Sequence, residues 1–193
     1  MSVIRAFIAI DISPEILDQI QRISDDLNQQ INNHAVRWVP AENIHLTLKF
    51  LGDVSVNNLE LLTDALRLEA VNHRPFSISV GGIGAFPSVR RPRVLWIGIE
   101  GPETLLNLQH NIESQMARLG YEKDQRPFSP HLTLGRVSRS ARPDEIRVVS
   151  QIVEAYNLGF IGITPVNDFH LYRSDLHPDG AVYTRILTLP LTA

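Results

Sequence analysis

Two rhythms of hydrophobic and polar positions run along this chain. Apolar residues at helical spacing, Ile16, Ile20, Ile23, Leu27 and Ile31, predict a helix after Pro14. Leu105, Leu108, Ile112, Met116 and Leu119 predict another after Pro102, closed by Gly120. Shorter stripes predict helices over Ser55–Val71, with Leu59, Leu62 and Leu66 inward, and over Pro143–Tyr156, with Ile146, Val149 and Val153 inward. Between them lie short apolar or alternating runs that read as strands: the starts of Arg5–Glu15 and Arg93–Glu103, the runs around 45–48 and 131–134, then Phe76–Val80, Phe160–Thr164, Phe169–Arg173 and Val182–Leu189. The helical stripes are read as core.

The order strand, helix, strand, helix, strand occurs twice. Arg5–Glu15 and Arg93–Glu103 are alike and lie 88 residues apart, each a strand running into a helix start, with Pro14 and Pro102 in the first turn and Ser13 and Gly101 as caps. The tetrapeptide His-Leu-Thr-Leu also recurs, at His45–Leu48 and His131–Leu134, 86 residues apart. A period this long excludes a solenoid of short repeats and points to two lobes about an approximate two-fold axis. No low-complexity segment or long linker divides them, so residues 1–193 are expected to form a single bilobal domain with an internal duplication.

On a strand, side chains alternate, so each copy of the tetrapeptide puts its histidine and threonine on one face and its leucines on the other. If the two strands are neighbours, two imidazoles and two hydroxyls converge on one cleft. Imidazole titrates near neutral pH, so one histidine can act as a base while its partner acts as an acid. Such a pair on opposite sides of a phosphorus atom suits in-line displacement, with Thr47 and Thr133 donating to non-bridging oxygens. The candidate catalytic residues are therefore His45 and His131. His34, His73, His110, His170 and His177 stand alone and are read as surface or loop residues, except that His170, in an apparent strand, is placed to line the cleft.

Composition narrows the chemistry. With no cysteine, and no His-Glu-x-x-His or clustered carboxylates, neither thiolate nor zinc-type ligation is indicated, and no cofactor or metal is expected. No Gly-x-Ser-x-Gly elbow supports a serine nucleophile. A 44% hydrophobic, 20% charged chain is that of a globular protein. A net charge of −3 argues against broad binding to long duplex nucleic acid, although Arg90, Arg91 and Arg93, and Arg136, Arg139 and Arg142, form two local basic segments that can flank the cleft. The apolar run Ala6–Ile10 is too short for a signal peptide core or a membrane span. A cytoplasmic protein without a membrane or obligate protein partner is expected.

With the paired motifs placed on repeated strands, the chain resembles the two-histidine phosphoesterase superfamily, and within it the RNA 2′,3′-cyclic phosphodiesterases, also called 2′-5′ RNA ligases. The resemblance rests on Arg5–Ile10, Trp38–Gly52, Gly82–Pro87 and Pro130–Arg136. It implies an α+β fold in which two pseudo-symmetric antiparallel sheets face a central cleft, with helices outside. It also implies that His45 is the proton donor to the leaving oxygen, His131 the proton acceptor acting on water, and Thr47 and Thr133 the phosphate-binding residues. The implied substrate is RNA ending in a 2′,3′-cyclic phosphate, opened to a 2′-phosphate, with reversible 2′-5′ ligation, including of tRNA halves, at the same site. Arg136 is implied as a phosphate or nucleotide contact, although strict alternation would put it on the leucine face unless a bulge intervenes near Gly135. Phe7 and Ile8 are the implied contacts on the first strand, with only position 7 offering a ring. The competing readings are a module that binds nucleotide ends without turnover and a phosphodiesterase for a small cyclic phosphate.

Overall fold

A computed structural model describes residues 2–32, 34–178 and 180–193. The first strand, β1 (Val3–Asp11), feeds a helix, α1 (Pro14–Ile31), whose buried residues Ile16, Ile20, Leu27 and Ile31 are the stripe predicted from spacing. Pro14 opens it at a position that lacks an N–H partner anyway. Ser13 is its N-cap residue but makes no side-chain cap, because its Oγ lies 3.1 Å from Thr164 Oγ1. The chain continues through β2 (Val36–Trp38), β3 (His45–Ser55), α2 (Leu59–Val71), β4 (Phe76–Ser88), β5 (Arg91–Glu100), α3 (Glu103–Arg118), β6 (His131–Val137), α4 (Pro143–Ala155), β7 (Phe160–Val166), β8 (Asp168–His177) and β9 (Gly180–Pro190).

Several boundaries differ from the expected ones. Pro102, not Gly101, occupies the N-cap of α3, so it sits just outside the first turn. The helix expected from Ser55 begins at Leu59, because β3 continues to Ser55 and a 3-10 turn follows at Val56–Asn58. Gly120 does close α3. Its φ of +91° is open to glycine without strain, and the bonds Gly120 N–H to Ala117 O and Tyr121 N–H to Met116 O satisfy carbonyls of the last turn.

Among the described residues the strands form one curled antiparallel sheet in the order β7-β4-β5-β6-β3-β1-β8-β9, with β2 on β6. Its two halves meet at a single residue pair, Leu46 with Leu132. Each half is thus a sheet in its own right, and the two diverge to either side of the junction. One face of the sheet is packed by helices and carries the core, including Ile8, Leu46, Leu48, Leu132, Leu134, Phe169 and Leu171.

Helices are exchanged between the repeats. Although α1 follows β1, it packs on β7 and α4; α3 follows β5 and packs on β3 and α2. Strand pairing also sets the equivalence of β1 and β5. Thr47 faces Ala9 where Thr133 faces Trp96, an offset of 87 residues instead of the 88 read from the sequence, so the slip lies between strand and helix. Among the described residues no helix is long and apolar enough to cross a membrane.

Candidate active site

The Leu46–Leu132 pair is the pivot of the site. Both strands run antiparallel through it, so His45 flanks the pair on the side toward Thr133 and Thr47 on the side toward His131. The two motifs are related by a local two-fold axis through the leucines. Alternation sends all four leucines into the core and leaves His45, Thr47, His131 and Thr133 half-buried on the opposite face.

Each motif is followed by the same irregularity. Against β1, Ile8 and Ala9 face Lys49 and Thr47, so Leu48 is an extra residue in β3; against β5, Leu95 and Trp96 face Gly135 and Thr133, so Leu134 is an extra residue in β6. A bulge of this kind reverses the alternation beyond it. Arg136 is consequently exposed on the histidine face while Val137 returns to the core. Phe50 is its counterpart in the first repeat, 64% exposed.

His45 sits in an aromatic cage. The Phe7 ring stacks on it at 4.7 Å, Tyr183 meets it edge-on at 5.3 Å, and Tyr172 lies beyond at 6.3 Å. Loss of solvation there pushes its pKa down to about 4, against an opposing pull from the hydrogen bond with the Asn43 backbone and from the Asp11 charge. His131 has a different setting. Its Nδ1 lies 2.6 Å from the Ser129 carbonyl oxygen, which fixes the ring, and Phe86 meets it edge-on at 4.9 Å.

Behind the cage is a polar network. The Tyr172 hydroxyl donates to Asp11 Oδ1 at 2.6 Å, and Arg185 donates to the Tyr172 oxygen at 3.2 Å and pairs with Asp11. Burial, reinforced by the bond to Asp11, pushes Tyr172 up to about 12. His170 is buried, with Nε2 3.1 Å from Asp168 and 3.4 Å from Asp11, and Nδ1 3.2 Å from Thr188 Oγ1. Burial is the main cause of its lowered pKa. Asp11 is the register partner of His45, so the network braces the strand that carries the histidine.

The structure brings His45, Thr47 and Phe7 to one half of the cleft and His131, Thr133 and Arg136 to the other; His170, expected to line the cleft, is buried behind Tyr172 against Asp11 and Asp168. The structure does not bring Ile8 there either. That side chain is fully buried in the core cluster, because its neighbour Phe7 takes the cleft face and alternation sends Ile8 the other way. Arg142 also leaves the basic segment, since it caps α4 and pairs with Asp144 and Glu145. Tyr172, Tyr183, Asp11 and Arg185 were not singled out from the sequence. The usable signal was the alternation of Tyr172 with buried Leu171 and Phe169 on β8, which puts the tyrosine on the cleft face. Among the described residues no group of three or more His, Cys, Asp or Glu side chains is arranged to hold a metal ion.

The chain is similar to known proteins over nearly its whole length. The RNA 2′,3′-cyclic phosphodiesterase of Methanothermobacter thermautotrophicus is 36% identical over 181 residues, covering 94% of this chain and 95% of the relative. That of Archaeoglobus fulgidus is 36% identical over 179 residues, covering 93% and 96%. Among solved structures, TT0787 of Thermus thermophilus superposes with a TM-score of 0.81 at 26% identity, covering 97% of both chains. Escherichia coli LigT complexed with 3′-AMP superposes with a TM-score of 0.76 at 31% identity over 100% of both. The model for LigT-like phosphoesterases matches twice, at residues 10–96 and 97–183, and the chain belongs to that family.

Proposed function

We propose that this protein is a hydrolase that opens the 2′,3′-cyclic phosphate at an RNA end to a 2′-phosphate, without a metal. The observation that carries the reading is the pair of His-x-Thr strands crossing at Leu46–Leu132, which offers two imidazoles and two hydroxyls to one cleft. The names of the relatives supply the substrate class. His131 takes a proton from water as the oxygen attacks phosphorus, the bond from phosphorus to the ribose 3′-oxygen breaks, and His45 gives its proton to that oxygen. Thr47 and Thr133 donate to the non-bridging oxygens, where charge builds up. A ribose 5′-hydroxyl in place of water gives a 2′-5′ linkage by the same steps, and their reverse cleaves it. Joined tRNA halves are one product of that kind.

A histidine with a pKa near 4 is neutral at neutral pH, so His45 cannot be the donor until something restores its proton. The cyclic phosphate does so. Its negative charge, brought against the ring, favours the imidazolium and opposes the desolvation that depressed it. The test is turnover of a short RNA with a 2′,3′-cyclic phosphate end, in EDTA, by the wild type and by His45→Ala and His131→Ala, with the product isomer identified. A 2′-phosphate released by the wild type alone supports the reading. Full activity in both variants overturns it. Tight binding of nucleotide ends without turnover identifies a binding module, and turnover of small cyclic phosphates alone identifies a different phosphodiesterase.

A further inference from the structure

A groove of about 1330 Å³ adjoins the site, sharing Phe7, Tyr183 and Arg136 with it, yet neither motif histidine nor either motif threonine lines it. That volume exceeds the roughly 300–1,000 Å³ that encloses one small ligand. Arg5 of β1, Arg37 of β2 and Arg136 of β6 reach into it from three strands, and all three are exposed. Among the described residues none of them is paired with a carboxylate, and Glu42 is the only acid in the lining. The exposed aromatic face in the lining is Phe50, 64% exposed; the Trp38 ring alternates with Arg37 onto the core side, where its Nε1 donates to Asn28 Oδ1 at 2.8 Å.

An apolar ring left in water beside guanidiniums that no described carboxylate pairs does nothing for the fold. Together they match a ligand that alternates flat faces with anionic links, which is the chemistry of a single nucleic-acid strand. A 2′,3′-cyclic phosphate closes the 3′ end, so the rest of the RNA leaves the terminal ribose through its 5′ side and needs a path away from the histidines.

We propose that this groove holds the nucleotides upstream of the reacting end, with Arg5 and Arg37 on backbone phosphates and Phe50 stacking on a base. The preferred substrate is accordingly a strand of several nucleotides and not a mononucleotide. The proposal rests on the hydrolase reading of the adjoining site. The experiment measures kcat/KM for cyclic-phosphate substrates of one, two, four and six nucleotides, with wild type, Arg5→Gln, Arg37→Gln and Phe50→Ala. These side chains are exposed, so the variants are expected to fold, which their melting curves check.

For wild type, kcat/KM should rise about 10-fold or more from one to four nucleotides. Each variant should lose more on the tetranucleotide than on the mononucleotide. Each arginine removed should also lower the salt slope for the tetranucleotide by about 0.7. A length-independent wild type, or variants that lose equally on every length, overturns the groove. A second arm separates this failure from failure of the hydrolase reading. Fluorescence anisotropy with a labelled tetranucleotide ending in a 2′-phosphate should show tighter binding than its mononucleotide and weaker binding by Arg37→Gln, whether or not the protein turns RNA over. Equal affinity for the two lengths rejects the groove independently of activity.

Discussion

The two repeats share a backbone and differ in what surrounds it. In both, a His-x-Thr strand bulges after the second leucine, and the exposure of residues 45–51 and 131–137 follows the same order. Yet His45 lies against Phe7 and Tyr183, whereas His131 is held by the Ser129 carbonyl. At the position after the bulge the contrast is larger. Gly135 lets β2 approach so closely that a Cβ there would meet Val36 Cγ1 at 2.7 Å and the Arg37 carbonyl oxygen at 3.2 Å. Its counterpart is Lys49, almost wholly buried, whose Nζ donates to the Glu113 carboxylate at 2.8 Å and to the Glu122 carbonyl at 2.6 Å. Residues 122–124, the equivalents of β2, form no strand and are tied to β3 by that side chain instead. The duplicated residues set the geometry of the pair, and the residues that were not kept alike give each half its own chemistry.

The most severe way to break the comparison is to remove either imidazole. His45→Ala and His131→Ala should each lower kcat by about 10²–10⁴ on a cyclic-phosphate RNA, the range for a lost general acid or base. A loss confined to one variant would mean that the pair does not share the chemistry. Next is Lys49→Met, which strands the Glu113 carboxylate against the core. Urea unfolding should show a loss of about 3–5 kcal/mol, largely recovered in Lys49→Met/Glu113→Gln.

Burial of His45 has a smaller signature. Its folded pKa lies below the ordinary unfolded value of 6.5, so the unfolded chain binds the extra proton between pH 6.5 and 4, and stability falls as pH is lowered through that window. His45→Gln should remove this contribution, on the order of a few kcal/mol, from the pH dependence of the urea midpoint. Finest of all is the cage itself. NMR titration of the His45 ring should give a midpoint near 4 in wild type, moving upward in Tyr183→Ser, which admits water, and upward in wild type saturated with a nucleotide 2′-phosphate.

Local signals carried most of what could be read from the chain. The helices announced themselves through Ile16, Ile20 and Leu27, or Leu105, Leu108 and Ile112, because a face 16 or more residues long repeats its period several times. The paired motifs exposed the site in the same way. Three-residue β2 was missed, since Val-Arg-Trp is too short to show any period, and its pairing with β6 depends on Gly135, a hundred residues away. The placement of Arg136 hinged on a bulge that no single-strand pattern encodes. Tyr172 and Tyr183 reach His45 only because β8 lies beside β1 and β9 beside β8, a fact of tertiary assembly.

The exchange of α1 and α3 sets how the molecule must come into being. Each repeat synthesised alone would present an amphipathic helix with its own sheet turned away from it, the apolar face covered only once the other repeat arrives. That is the connectivity of a domain-swapped dimer written into one polypeptide. Contacts that span half the chain have to form before either helix is secured, so assembly is governed by long-range search more than by local helix formation, and a chain cut between the repeats should recover its shape only when both pieces are mixed.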